Sequence, residues 1–155
     1  MILLGYDSNH GTTETVSNII GNFLISNSIS ITRKNIVSVS QNDYFQSSLL
    51  ILGTPSWKVH NIEGMPTENI LNFLANVKNW KFHPIKYAIF GLGNSYFKKF
   101  CGAVDVIEKE LNINDNTMLL PSLRIDRFQI PITPRKTIDS WCSQLISRIH
   151  DYNLK

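Results

Sequence analysis

Residues 48–53 read Ser-Leu-Leu-Ile-Leu-Gly, an apolar run with no alternation of polar and apolar side chains. A strand with one face in water alternates, whereas a continuous apolar run presents apolar side chains on both faces. The run therefore predicts a strand inside a parallel sheet that is covered by helices on both sides. The rest of the chain has to supply the other strands and those helices.

The flanking sequence alternates between strand and helix patterns. Short apolar runs predict further strands at residues 2–6, 29–32, 86–90 and 117–120, the last continued by residues 123–125. Apolar residues at helical spacing predict helices at residues 13–26, 68–77, 100–111 and 134–151, with Pro134 in the first turn of the last helix. We therefore expect an α/β three-layer sandwich with a five-stranded parallel sheet of order 2-1-3-4-5, forming a single domain over residues 1–155.

Polar or glycine-rich loops follow the first, third and fourth predicted strands. The carboxyl ends of parallel strands meet at one edge of the sheet, so we expect these loops to converge beside strands 1 and 3. The first loop precedes a helix, whose free amides can hold a phosphate without lysine or arginine. Its candidate residues are Ser8, Asn9, His10, Gly11, Thr12 and Thr13. The alternative interpretation is a polar turn that only caps the helix.

The second and third loops each place an aromatic side chain shortly after a strand end. Gly91 and Gly93 also let the third loop turn sharply and pass close to something flat. These features are typical of a site that holds a planar ring system, although Trp57 and Phe97 could instead be core residues. The candidate residues are Thr54, Pro55, Ser56, Trp57 and Lys58 in the second loop, and Leu92, Gly93, Asn94, Phe97, Phe100 and Cys101 in the third.

The third loop carries a specific resemblance to a known family. Residues 91–105 read Gly-Leu-Gly-Asn-Ser-Tyr-Phe-Lys-Lys-Phe-Cys-Gly-Ala-Val-Asp, which resembles the second flavin-contacting loop of the short-chain flavodoxins. The first loop resembles their Ser/Thr-x-Thr-Gly-x-Thr loop, with direct matches at Ser8, Gly11 and Thr13, and the second resembles their Cys/Thr-x-Thr-Trp-Gly loop.

That resemblance implies a function. A flavodoxin binds FMN and shuttles single electrons between a flavin-dependent reductase and a redox acceptor protein. The family pattern would put Trp57 and Phe97 on the two faces of the flavin ring and residues 8–13 around its phosphate. Because the cofactor carries the redox chemistry, no catalytic residue is expected, and the four histidines form no Ser-His-Asp or Cys-His set.

Two departures from the family pattern concern the reduced flavin. Lys58 stands where many flavodoxins have a glycine whose peptide can flip, and a side chain makes that flip harder by roughly 1 kcal/mol. Asn94 replaces an aspartate, and Lys58 adds a cation. We expect weaker stabilisation of the one-electron-reduced flavin and a less negative potential for the second electron than is usual in the family.

Two alternative functions stay open at this point. The first is a flavodoxin-like FMN reductase that acts directly on a quinone or another small acceptor. Such an enzyme needs a cavity over the flavin, where Trp57 is expected to lie. The second is a flavodoxin-like protein that has lost its flavin and serves as a binding module, an interpretation that the substitutions at Asn9, His10, Lys58, Asn94 and Phe97 keep open.

Composition argues against several other classes of protein. The net charge of +3 comes from scattered lysines and arginines, without the basic stripe of a nucleic-acid-binding protein. No apolar run approaches the ~20 residues of a membrane-spanning helix, and the first residues do not resemble a signal peptide. Cys101 and Cys142 have no metal-ligand spacing and are expected to be reduced thiols. We expect a cytoplasmic monomer that binds neither a metal, a nucleic acid nor a membrane.

Overall fold

The computed structural model describes residues 1–80, 84–113, 116–126 and 135–154 of the chain. Its strands are β1 (Ile2–Tyr6), β2 (Ile31–Asn35), β3 (Leu49–Pro55), β4 (Trp57–Val59), β5 (Ile62–Met65), β6 (Lys86–Gly93), β7 (Thr117–Met118) and β8 (Leu123–Asp126). Its helices are α1 (Thr12–Ser26), α2 (Gln41–Phe45), α3 (Glu68–Asn79), α4 (Gly102–Ile113) and α5 (Arg135–Asp151), with a 3-10 turn at Ile36–Ser38.

The main sheet is parallel throughout and has the order β2-β1-β3-β6-β7, with β8 also paired to β6. β7 pairs with the first residues of β6 and β8 with the last, so they are two halves of the fifth strand. The predicted order 2-1-3-4-5 is confirmed. The carboxyl ends of β1 and β3 lie side by side, and β1 leads to α1 on one side of the sheet while β3 leads towards α3 on the other.

Apolar clusters cover both faces of the sheet, as the unbroken run in β3 predicts. Leu49 and Ile51 belong to the cluster beneath α1 and α5, whereas Leu50 and Leu52 belong to the cluster beneath α3 and α4. All of these side chains are fully buried. The three-layer sandwich is therefore held by two separate cores, and the strands β1, β3 and β6 each contribute side chains to both of them.

Some element boundaries differ from the sequence prediction. Ser28 adopts a left-handed conformation with φ of 64°, and the amide of Ile29 still donates to the carbonyl of Leu24 at the end of α1. The second strand therefore starts at Ile31 instead of residue 29. The helix predicted at residues 100–111 begins only at Gly102, because Cys101 has a φ of 50° that is incompatible with a right-handed helix. Pro134 lies outside the described residues.

Two elements were missing from the prediction. The short helix α2 stands in a connection that the sequence suggested was merely polar, and a reciprocal capping box between Ser40 and Asp43 begins it. The antiparallel hairpin β4–β5 follows β3 directly, with His60 and Asn61 as its turn. Both turn residues have positive φ, 48° and 63°, as a tight two-residue hairpin turn requires.

Candidate cofactor site

A cavity of about 830 Å³ opens at the carboxyl ends of β1, β3 and β6. The candidate residues that line it are Ser8, Asn9, His10, Thr12, Thr13, Pro55, Ser56, Trp57, Lys58, Leu92, Gly93, Asn94 and Phe97. The three loops therefore meet, as the sheet topology requires. The cavity is also lined by Glu63, Gly64, Tyr96 and Lys99, which were not among the candidates.

Four candidate residues lie outside the cavity wall. Gly11 occupies the N-cap position of α1, and Thr54 is buried with its hydroxyl donating to the carbonyl of Pro55. Phe100 packs against the core beneath α3 and α4. Cys101 is buried with its thiol next to the carbonyl of Gly91, and burial raises its pKa to about 11. Thr54, Phe100 and Cys101 thus help to shape the loops, and a contact of any of the four residues with a cofactor stays a prediction.

The first loop presents an unsatisfied hydrogen-bonding group. Gly11, with φ of 81°, stands at the N-cap of α1, and no described side chain caps that helix. The Ser8 hydroxyl is buried and has no hydrogen-bond partner among the described residues. A buried hydroxyl without a partner costs free energy of about 1–3 kcal/mol. A hydroxyl, a glycine and uncapped helix amides together suit an anion, because all of them can donate hydrogen bonds to it.

A buried carboxylate fixes the start of this loop. The Asp7 carboxylate accepts hydrogen bonds from the amide of Ser8 at 3.0 Å, the Thr67 hydroxyl at 2.5 Å and the Asn69 side chain at 3.2 Å. Thr67 is also the N-cap of α3, where its hydroxyl accepts from the amide of Ile70. Asp7 therefore connects the end of β1 to the beginning of α3 and sets the direction in which the loop leaves the sheet.

Two aromatic rings on the cavity wall come from different loops. Trp57 opens β4 with 39% of its surface exposed, and its ring lies 5.3 Å from that of His10 in the first loop. Phe97 is 59% exposed and lies in a turn closed by its amide donating to the carbonyl of Asn94. Such large exposed rings beside a cavity argue against the alternative that Trp57 and Phe97 are core residues.

The third loop is held in place by β8. Asp126, at the end of β8, accepts hydrogen bonds from the amide and the hydroxyl of Ser95 at 2.8 and 2.6 Å. The side-chain oxygen of Asn94 accepts from the amide of Tyr96. A Cβ on Gly93 would lie 2.8 Å from the amide nitrogen of Cys101, so only glycine fits this position. The loop that presents Phe97 is consequently a preformed turn.

The hairpin β4–β5 explains why Glu63, Gly64 and Lys99 were missed. Gly64 has φ of 73° and packs so closely on α4 that an added Cβ would lie 2.7 Å from Cβ of Lys99. This contact joins segments that are far apart in the sequence, and neither segment has a local sequence pattern that predicts it. The hairpin also places Lys58 in an extended strand. Among the described residues, the cavity wall therefore carries two lysines, Lys58 and Lys99, and one carboxylate, that of Glu63.

The protein is a parallel α/β sandwich with a cavity at the carboxyl edge of its sheet. The cavity lies between the N-terminus of a helix without a side-chain cap and two aromatic rings. This combination is typical of proteins that hold a phosphorylated ring compound. The chain belongs to the flavodoxin family, since the family model described as Flavodoxin matches residues 4–129. A flavodoxin from Maridesulfovibrio salexigens is 28% identical over 148 residues, which are 95% of this chain and 97% of that protein.

Solved structures show the same fold. The oxidised Flavodoxin 2 from Bacillus cereus superimposes with a TM-score of 0.83 at 20% identity, covering 95% of this chain and 98% of that one. A Fusobacterium nucleatum flavodoxin bound to flavin mononucleotide gives a TM-score of 0.79 at 19% identity, covering 99% and 98%. Within the described part of this chain, no helix has the length and apolar character to span a membrane.

Proposed function

We propose that the chain binds FMN in this cavity and carries electrons one at a time between a flavin-dependent reductase and a redox acceptor protein. The observation that carries the proposal is the buried Ser8 hydroxyl, which has no partner among the described residues and stands beside the uncapped α1. A phosphate at this place would accept hydrogen bonds from both. Membership of the flavodoxin family and the FMN-bound relative support the choice of ligand.

The residues divide the work between the two ends of the ligand. Ser8, His10, Thr12 and Thr13 would hold the phosphate, and Trp57 and Phe97 would hold the ring and exclude water from it. FMN, when bound, supplies the one-electron chemistry.

Charges on the cavity wall would adjust the potential of the flavin. Lys58 and Lys99 favour added negative charge, and Glu63 opposes it. Asn94 contributes no charge, because its side chain is a neutral amide, and its oxygen helps to hold the turn of the third loop.

The proposed location is the cytoplasm. Cys101 and Cys142 are both buried free thiols, and burial raises the pKa of Cys142 to about 12. Reduced cysteines that form no disulfide are typical of a reducing compartment.

Substitution of Ser8 tests the phosphate end directly. We expect Ser8→Ala to weaken FMN binding about tenfold or more, because a hydrogen bond to a charged group contributes about 1.5–3 kcal/mol. Binding of riboflavin, which lacks the phosphate, should stay the same. Fluorescence quenching during titration of the apoprotein measures both affinities.

Ser143→Ala is the matched control, since the Ser143 hydroxyl donates to the carbonyl of Asp139 on the exposed side of α5. It should leave both affinities unchanged. Equal loss of FMN and riboflavin binding in Ser8→Ala would contradict the assignment of the phosphate, and a native protein that binds neither ligand would contradict the proposed function.

Turnover separates a carrier from the quinone reductase that the sequence left open. With a reduced nicotinamide cofactor as the electron donor and no partner protein present, the carrier should reduce a benzoquinone only slowly in the steady state. A reductase should give rapid saturable turnover under the same conditions. Rapid turnover would contradict the proposed carrier function.

A further inference from the structure

Exposed apolar side chains gather at the rim of the cavity. They come from residues 57–63 and 94–99, two segments that together we call the basic rim. Ile62 is 49% exposed and Tyr96 80% exposed, and the same two segments carry the exposed rings of Trp57 and Phe97. The other large apolar side chains with high exposure in the described chain, Ile25, Val37, Ile113 and Tyr152, are scattered over separate elements. Concentrated exposed apolar surface marks an interaction site more often than single exposed residues do.

The same two segments carry three lysines and one carboxylate. Lys58, Lys98 and Lys99 are all exposed, and within the described residues no ion pair engages them. Glu63 is the carboxylate. The positive charges of these lysines are therefore available to a partner.

Carboxylates next to the rim are already engaged. Glu68 lies 3.3 Å from the His60 ring at the turn of the hairpin. Asp126 accepts two hydrogen bonds from Ser95. These contacts leave the negative charge of both carboxylates in place, so both offset part of the positive charge of the rim from a distance.

We propose that the basic rim docks a redox partner protein whose own surface presents carboxylates around an apolar centre. The inference rests on the proposed function, because the partner is the protein that exchanges electrons with the flavin. Apolar contact at Ile62 and Tyr96 would bring the two redox groups together, and the lysines would steer the approach and select an acidic partner. Aromatic and apolar residues at the centre with charges at the edge are the usual arrangement of a transient interface.

Paramagnetic probe ions of opposite charge test the sign of this surface. The FMN-loaded protein is titrated with hexacyanochromate(III), an anion, and separately with hexaamminechromium(III), a cation, and broadening is followed in amide NMR spectra. We expect the anion to broaden the amides of residues 57–62 and 95–99 first. The cation should broaden them only at about fivefold or higher concentration, because like charges repel it. Earlier broadening by the cation would overturn the proposal.

Paired variants locate the effect. The double variant Lys98→Gln with Lys99→Gln should raise about fivefold the anion concentration that is required to broaden the amides of the rim. It keeps the Cβ of residue 99, which packs on Gly64. Lys78→Gln with Lys109→Gln makes the same change in net charge on exposed helix positions and should have no effect there. Lys98→Gln alone, outside the cavity wall, should give a smaller change in the same direction. Equal effects of both pairs would overturn the proposal.

Two further readouts keep the interpretation separate from the proposed function. Flavin absorbance of the same samples shows whether FMN is bound. A colourless protein would contradict the proposed function, and the sign of the charge on the basic rim could still be measured with the probe ions. Sedimentation should show a monomer. A dimer that Tyr96→Ser dissociates would assign the rim to a second copy of the chain and overturn the acidic-partner proposal.

Discussion

Lys58 shows how one side chain is expected to adjust the cofactor. The sequence placed it where the family often has a flexible glycine, and the structure puts it in β4 among residues without positive φ. Lys58 lines the cavity, where a positive charge would stabilise electrons added to a bound flavin.

We expect Lys58→Gln to make the potential for the second electron more negative by roughly 40 mV, the equivalent of about 1 kcal/mol of lost attraction. Anaerobic redox titration of the FMN-loaded variants measures the shift. Lys109→Gln, on the exposed side of α4, removes the same charge and should leave the potential unchanged. No difference between the two variants would show that Lys58 does not act on the flavin.

At the scale of elements, the hairpin β4–β5 connects the sheet edge to α4 and presents Trp57, Lys58 and Glu63 to the cavity. Gly64 makes that connection possible, because its backbone is left-handed and its missing side chain lets the hairpin touch Lys99 and Gly102.

Gly64→Ala should lower the free energy of unfolding by about 2–4 kcal/mol, since it adds strain at positive φ to a clash at 2.7 Å. Gly11→Ala is the matched control, with φ of 81° but nothing within 4 Å of the added Cβ, and should cost only about 1 kcal/mol. Urea unfolding of the apoproteins measures both. Equal losses would mean that the close packing of the hairpin on α4 adds nothing.

The capped helix α2 adds a pH-dependent contact at the edge of the sheet. Lys34 on β2 donates to the Asp43 carboxylate at 2.7 Å, and this bond, followed by those from Ser40, lowers the pKa of Asp43 to about 2. Because the folded pKa lies below the ordinary 3.8, the contribution is present above pH 4 and is lost as the pH falls towards 2.

The free energy of unfolding should therefore fall less between pH 4 and pH 2 in Asp43→Asn than in the unchanged protein. The effect should stay below about 1 kcal/mol, since the ion pair is partly exposed. Urea midpoints at several pH values test it. Asp139→Asn, on α5, is a control that removes another carboxylate paired with an arginine. An unchanged acid profile in Asp43→Asn would contradict the assigned role.

Sequence reasoning was strongest where the pattern is local. The unbroken apolar run of β3 and the helical spacing of α1, α3 and α5 are direct consequences of burial, so the order of the sheet could be predicted. The spacing of Ser40 and Asp43 is that of a capping box, so the beginning of α2 could have been predicted from the sequence. The hairpin had no such signal, because its strands are short and its turn is His-Asn in place of the usual Asn-Gly.

The candidate site divides in the same way. Residues in the three motif loops were predicted, and most of them line the cavity. Glu63 and Lys99 reach the wall only because Gly64 packs on α4, a tertiary contact that no local pattern contains. Cys101 and Phe100 belong to the most distinctive motif, yet they are turned into the core, since a motif includes residues that shape a loop as well as those that bind.

At the scale of the whole molecule, the chain combines one cavity wall for a cofactor with a positively charged rim for a partner. The net charge of +3 falls to about +1 when the phosphate of FMN is bound, and this sign is consistent with a carrier that approaches an acidic surface. An enzyme that acts on a small acceptor would need room for that acceptor next to the flavin. Trp57 and Phe97 line the cavity, so their side chains would border that space.

The visible absorption spectrum of the purified protein, before and after addition of FMN and through stepwise anaerobic reduction, tests the central claim most directly. The proposed carrier should show structured flavin bands with quenched fluorescence, and a long-wavelength absorbance that rises and then falls as electrons are added one at a time. Passage from oxidised to fully reduced flavin without that rise would contradict one-electron transfer. A protein that stays colourless in excess FMN would contradict flavin binding itself.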